Sequence, residues 1–239
     1  MTDRIFDLEK FIDREFEQEL FEELLRMHDD SRVLAIRAGG GMGKSSLLEK
    51  FQYRCRTIRP RIPVSLIPLD QLPDASPVAM IRLIARQLSA VGADFSMFSK
   101  NEHARMAGDF LSIRAFIDLD SASFRDASDV HIRGINVERA EQVSISGEMT
   151  TLTPEQDSVA QEASVSAFFT DLERYCSSHT AVIMLDAYDR CDRQLQRWIL
   201  EDFLEHVCFN LEQRPARLVV VIAGRELPIF DHHWAQEDC

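Results

Sequence analysis

The sequence predicts an α/β fold with a mostly parallel sheet sandwiched by helices. Apolar strand-like runs alternate with stretches of helical period over most of the chain, the pattern of a parallel sheet covered on both faces. Two runs, Thr180 to Asp186 (TAVIMLD) and Arg217 to Gly224 (RLVVVIAG), are almost wholly apolar, as strands buried on both sides are. A third run, Arg32 to Arg37, leads into three consecutive glycines, a Gly-Lys-Ser and an amphipathic stretch. Strand, glycine loop, Lys-Ser and helix, in that order, build a phosphate cradle.

Phe11 to about His28 reads as an acidic amphipathic helix with Phe16, Leu20, Leu24 and Met27 at helical spacing. Arg32 to Arg37 is the strand before the glycine loop, and Leu47, Leu48 and Phe51 lie on one face of the helix behind it. Arg61 to Asp70 predicts a second strand, made irregular or placed at an edge by Pro63 and Pro68. Ser76-Pro77 is a helix start, and Val78, Ile81, Ala85 and Leu88 form one apolar stripe that ends near Gly92.

From Ala93 to Glu162 the pattern changes. A helix is predicted over Ala104 to Ile117 and a loop over Ser121 to Asp129. Val130/Ile132, Ile135/Val137 and Val143/Ile145 then alternate in short bursts broken by Gly134 and Gly147, the mark of short half-buried strands. Thr150 to Glu162 is polar and reads as a flexible connection. The segment 93–162 is therefore expected to be a small β-containing insertion for packing or interaction. Helical spacing returns with Val165, Phe168, Phe169, Leu172 and Tyr175. The longest helix is predicted over Asp192 to Leu211, with Leu195, Trp198, Ile199, Phe203, Val207 and Leu211 inward. Leu227 to Cys239 has no clear period.

Composition narrows the function classes. The 239 residues carry a net charge of −13, which argues against a mainly electrostatic nucleic-acid binder or a basic membrane-surface protein. No stretch approaches the ~20 apolar residues of a membrane-spanning helix, and the first residues lack the pattern of a signal peptide. The five cysteines, Cys55, Cys176, Cys191, Cys208 and Cys239, show no C-x-x-C spacing, so neither a disulfide framework nor a zinc site is indicated. A cytoplasmic setting fits.

The chemistry concentrates at strand ends. The loop Ala38 to Ser45 (AGGGMGKS) follows the relaxed form of the phosphate-loop pattern, with Ala38 at the first glycine position. Its glycines let backbone N–H groups converge on phosphate, Lys44 can reach the β- and γ-phosphates, and the Ser45 hydroxyl can ligate Mg²⁺. Asp186 closes a buried strand, either as a Mg²⁺ partner opposite Ser45 or as a turn residue. Asp189 is either a general base for the attacking water, or a solvated loop acid or the start of the next helix. Arg225 either senses the γ-phosphate or pairs with a surface acid such as Glu226. Right-handed crossovers place the ends of all these strands on one side, where ligands of open α/β sheets bind.

These residues carry a family likeness. Phe11-Ile12-Asp13-Arg14-Glu15 resembles the F-[VI]-G-R-E stretch ahead of the nucleotide domain of AAA+-related and STAND ATPases, with Asp13 in place of the usual glycine. Ala38 to Leu48 is similar to their Walker A, Leu185 to Arg190 (LDAYDR) to the STAND form of Walker B, and Ile222 to Glu226 (IAGRE) to their sensor-1 end. The likeness spans about Phe11 to Glu226, apart from Ala93 to Glu162. It implies an AAA+-like P-loop NTPase domain with ATP or ADP and Mg²⁺ as cofactors. Nucleotide contacts fall on Arg14, Gly39, Gly40, Gly41, Met42, Gly43, Lys44, Ser45 and Ser46, metal contacts on Ser45 and Asp186, and catalytic roles on Asp189 and Arg225.

The resemblance further implies an ATP-driven regulatory switch in signalling or defence that partners with copies of itself or with an effector or sensor. Family members carry a winged-helix domain and usually a sensor domain after this region, so the sequence is expected to be a fragment or to act on a separate effector chain. Two alternatives stand beside the switch. One is a module that binds ADP or ATP without hydrolysis. The other is an AAA+ replication initiator or loader, against which the acidic charge counts.

Overall fold

The computed structural model describes residues 14–27, 32–72, 76–115, 130–132, 135–137, 154–209 and 217–227. Expectations for Phe11 to Asp13, Ser121 to Asp129, Val143/Ile145, Leu211 and the stretch after Leu227 lie outside them. The chain divides into two compact units, Met1–Ser99 with Ala163–Cys239, and Lys100–Glu162.

The larger unit holds four parallel strands: β1 (Arg32–Arg37), β2 (Val64–Pro68), β5 (Ala181–Asp186) and β6 (Leu218–Gly224), in the order β1-β6-β5-β2. β6 pairs with β1 from Arg32↔Val219 to Arg37↔Gly224, and with β5 from Ala181↔Leu218 to Leu185↔Ile222. All seven residues of β6 and the first five of β5 are buried, as continuous apolar runs in central strands require. β2 takes an outer position and ends at Pro68, where a missing N–H costs the ladder least. It is shorter than the sequence indicates, because Leu69–Gln71 turns off as a 3₁₀ helix.

Alternation along the strands divides the apolar residues between two cores. On one face Leu34, Ile36, Val182, Met184, Val219 and Val221 meet α1 (Glu15–Arg26) and α2 (Lys44–Thr57). On the other, Ile183, Leu185, Val220 and Ile222 meet α3 (Pro77–Ser89), α5 (Pro154–Cys176) and the helical segment from Arg193 to Phe209. The result is a helix–sheet–helix sandwich. Ser76 caps α3 by accepting from the Ala79 N–H at 3.2 Å, with Pro77 at the first helical position.

Several boundaries differ from the sequence expectation. In α1 the buried residues are Phe21, Leu24 and Leu25, whereas Phe16 is 74% and Met27 38% exposed. The stripe is rotated because Phe21 stacks on Phe51 of α2, centroids 4.1 Å apart and planes 9° off parallel. α5 begins at Pro154, so residues 154–162 are helical and not a flexible connection. Their polar sequence has no apolar period to announce a helix, yet it lacks glycine and opens on a proline. α4 (Ser96–Ala115) begins eight residues before Ala104. Asp94 starts it by accepting from the Ser96 N–H at 3.0 Å.

Ala93, Phe95 and Phe98 belong to the larger unit's core, so the second unit starts at Lys100 instead of Ala93. Within that unit β3 (Val130–Ile132) and β4 (Ile135–Val137) pair antiparallel, as their alternation predicts. The long helix divides into α6 (Arg193–Trp198), capped by Asp192, and a wider π-helical stretch over Ile199–Phe209. Leu195, Ile199, Phe203 and Val207 face the core at four-residue intervals, which a widened turn keeps in line.

Phe51→Ala is expected to destabilise the protein by ~3–5 kcal/mol in chemical denaturation, while Phe16→Ser stays within ~0.5 kcal/mol. Burial pushes the Cys55 and Cys176 thiols up to about 12 from 9.0. Ionisation is therefore easier in the unfolded chain, and the stability these thiols contribute is intact below pH 9 and lost as pH rises toward 12. Denaturation midpoints measured across that window should fall, and Cys55→Ala/Cys176→Ala should flatten the fall.

Candidate phosphate-loop site

The site lies at the carboxyl end of the parallel sheet. β1 ends at Arg37, the loop 38–43 turns back, and α2 starts at Lys44. The turn requires left-handed backbone at Gly41 (φ 73°) and Gly43 (φ 74°), which glycine adopts without steric cost. The Ala38 N–H donates to the Gly224 carbonyl at 3.2 Å, tying the start of the loop to the end of β6. Among the described residues no acceptor faces the backbone N–H groups from Gly39 to Ser46, and the first bond of α2 runs from the Leu47 N–H to the Gly43 carbonyl at 2.9 Å. A helix start with free N–H groups attracts anions.

Lys44 folds over this loop. Its Nζ donates to the Ala38 carbonyl at 2.6 Å and the Gly39 carbonyl at 2.8 Å. An ammonium has three donors, so one is left for an incoming anion. Ser45, the next residue, sends its hydroxyl across the sheet edge to Asp186 Oδ2 at 2.6 Å. The other oxygen of Asp186 accepts from the Ala187 N–H at 2.8 Å. That bond depends on a reversal at Ala187, which has left-handed backbone (φ 58°, ψ 40°) although it carries a Cβ.

The reversal carries the chain into the short 3₁₀ helix Tyr188–Arg190 and brings Asp189 under β6. Asp189 Oδ1 accepts from the Arg225 N–H at 2.7 Å. The Arg225 guanidinium then lies against the loop, with Nη2 2.9 Å from where a Cβ on Gly40 would stand. Arg14 also reaches the loop. Its Nη2 donates to the Met42 carbonyl at 2.6 Å, and its Nη1 to Glu17 at 3.4 Å. On the outer side of Asp189, Arg190 pairs with Asp70 at 3.2 Å. Tyr188 is buried, which raises its phenol to about 12 and keeps it neutral, and its hydroxyl donates to the Gln196 carbonyl at 3.2 Å.

The residues singled out in the sequence therefore meet as contacting groups. Ser45 touches Asp186, Asp189 holds Arg225, Arg225 covers Gly40, and Arg14 holds Met42. Gly39 accepts from Lys44, and Gly41 and Gly43 make the turn, while no side-chain contact from Ser46 is drawn among the described residues. Glu226 makes no described ion pair with Arg225, the surface alternative weighed above. Three supporting residues were not anticipated. Gly224 is one, because a Cβ there would stand 2.6 Å from the Glu226 carbonyl oxygen and 3.0 Å from Asp189 Oδ1. The left-handed Ala187 and the Asp70 partner of Arg190 are the others. All three depend on which strand ends become neighbours, which residue type alone does not disclose.

Among the described residues no cluster of three His, Cys, Asp or Glu side chains could hold a metal, and no helix is long and apolar enough to cross a membrane. Compared with models of known protein families and with curated proteins, the chain matches none.

Gly224→Ala is expected to lower stability by ~1–3 kcal/mol, because the backbone at Glu226 cannot yield cheaply. Ala187→Gly should be neutral or stabilising by up to ~1 kcal/mol, since it relieves the left-handed alanine at some entropic cost. Thermal denaturation of the two variants checks the opposite signs.

Proposed function

We propose that this chain binds ATP with Mg²⁺ at its glycine loop and serves as the ATP-hydrolysing regulatory switch module of a STAND-type signalling or defence protein, on an AAA+-like P-loop domain. The observation that carries this reading is the 2.6 Å contact between Ser45 Oγ and Asp186 Oδ2, residues 141 positions apart. One hydroxyl and one carboxylate meeting beside a phosphate loop form the small oxygen donor set that suits Mg²⁺, which keeps most of its shell for water and phosphate.

In this reading Ser45 and Asp186 would hold Mg²⁺, which supplies charge neutralisation at the β- and γ-phosphate oxygens. The free N–H groups of Gly39 to Ser46 bind phosphate oxygens, and Lys44 adds its third donor. Arg225, over Gly40, supplies positive charge where the transferred phosphoryl group lies. Asp189 Oδ1 is engaged by the Arg225 N–H, and a carboxylate has further acceptor sites with which to orient the attacking water.

A second reading, nucleotide binding without turnover, draws on the same contact. An oxygen committed to a backbone N–H is less available to a water, and Ala187 leaves no acid directly after Asp186. Both readings predict co-purified adenine nucleotide and loss of binding in Lys44→Ala. They separate at Asp189→Asn. The hydrolytic reading expects retained binding with turnover reduced ~10²–10⁴-fold, measured as phosphate release. Turnover equal to the wild type would remove Asp189 from catalysis, and tight ADP without turnover at any protein concentration would establish the second reading.

A further inference from the structure

We infer that Arg14 is a positioning residue that shapes the anion-binding face of the glycine loop through the Met42 carbonyl. The inference rests on the loop being a phosphate site and assigns how its backbone is held.

Two cations hold carbonyls of this loop, one from the first residue of α2 and one from the residue before α1. Lys44 takes the carbonyls of Ala38 and Gly39, and Arg14 takes that of Met42 at 2.6 Å. Across a planar trans peptide, the carbonyl of one residue and the N–H of the next point in opposite directions. The peptide bonds of this loop are trans, since the cis bond of the described chain is Arg59-Pro60. Holding the three carbonyls therefore turns the N–H groups of Gly39, Gly40 and Gly43 the other way. These are among the N–H groups with no acceptor in the described structure. Each carbonyl drawn to a cation aims one donor at the space an anion would fill.

Arg14 is built for a fixed role. Its side chain is only 13% exposed, although it lies at the start of α1, two residues from the 74% exposed Phe16. It adopts left-handed backbone (φ 65°, ψ 46°), as Ala187 does, and these are the two non-glycine residues with positive φ among those described. Such conformations persist where surrounding contacts over-determine them. Here Arg14 bonds to Met42 of the loop, and Ala187 follows the Asp186 that Ser45 of the loop's helix contacts. The planar guanidinium also divides its donors, Nη2 to Met42 and Nη1 to Glu17, and so fixes its own orientation.

The test compares ligands with and without the nucleoside. Binding of Mg²⁺–ATP and of Mg²⁺–pyrophosphate is measured by titration calorimetry on the wild type, Arg14→Ala, Arg14→Lys and Lys44→Ala, at a temperature where circular dichroism shows each folded. A residue acting through the loop weakens both ligands by the same factor, roughly tenfold or more in Arg14→Ala, as expected when a charge-assisted hydrogen bond is lost. Arg14→Lys, which keeps a cationic donor, recovers part of that loss for both. If ATP weakens while pyrophosphate does not, Arg14 contacts the base or ribose and the inference is overturned. Unchanged affinity for both ligands overturns it as well. If Arg14→Ala does not fold, Arg14→Met keeps the apolar stem and allows the same comparison. Failure of the underlying reading looks different: wild-type protein then binds neither ligand, or Lys44→Ala binds both as the wild type does.

Discussion

β6 is the constraint on which the rest of the molecule depends. Its seven buried residues leave it no position except between two other strands, and the register on each side then follows. Lodged between β1 and β5, it brings the glycine loop and the Asp186 turn, which are far apart in sequence, to either side of its own C-terminal end. Ser45 then reaches Asp186 across that end, and Arg225, the residue after β6, has only to lie over to meet Gly40. The meeting of the polar groups at one edge is a by-product of apolar burial. No polar attraction is needed to assemble them, which matters because exposed ion pairs and hydrogen bonds contribute only about 1 kcal/mol each.

The two faces of the sheet are closed by different means. On the face toward the loop helix, α1 and α2 share an aromatic stack, Phe21 on Phe51, and an ion pair between Glu22 and Arg54 at 2.9 Å. On the other face, α3, α5 and the 193–209 segment enclose a chain of aromatic contacts from Phe95 through Phe168 and Phe169 to Phe203. α1 and α2 both begin at the glycine loop, one through Arg14 and the other through Lys44. Among the described residues, no hydrogen bond joins the helices on the opposite face to the loop.

The parts legible in the sequence were those set by short-range rules. The apolar runs of β5 and β6 and the Ser76-Pro77 helix start are local signals, and they correspond to observed elements. The residues that meet at the sheet edge were legible too, because topology rules place strand ends together. Less legible were features that depend on a neighbour. Phe16 and Phe21 are the same residue type five positions apart, and only the opposing ring of Phe51 decides which is buried. The start of α5 was hidden because residues 154–162 carry no apolar period. Gly224 and Ala187 resemble ordinary small residues until Asp189 is placed beside them.

The larger unit is interrupted between Ser99 and Ala163, and the residues on either side of that interruption are bound to one another. The buried Asp171 of α5 accepts from the Phe98 N–H at 2.9 Å. Arg174 bonds to Asp94 at 3.0 Å and stands 2.8 Å from Asp171 as an ion-pair partner without hydrogen-bond alignment. Departing and returning segments are thus joined, in the bonds named here, by residues of the larger unit itself. The larger unit carries its own clasp at the place where its chain departs and returns.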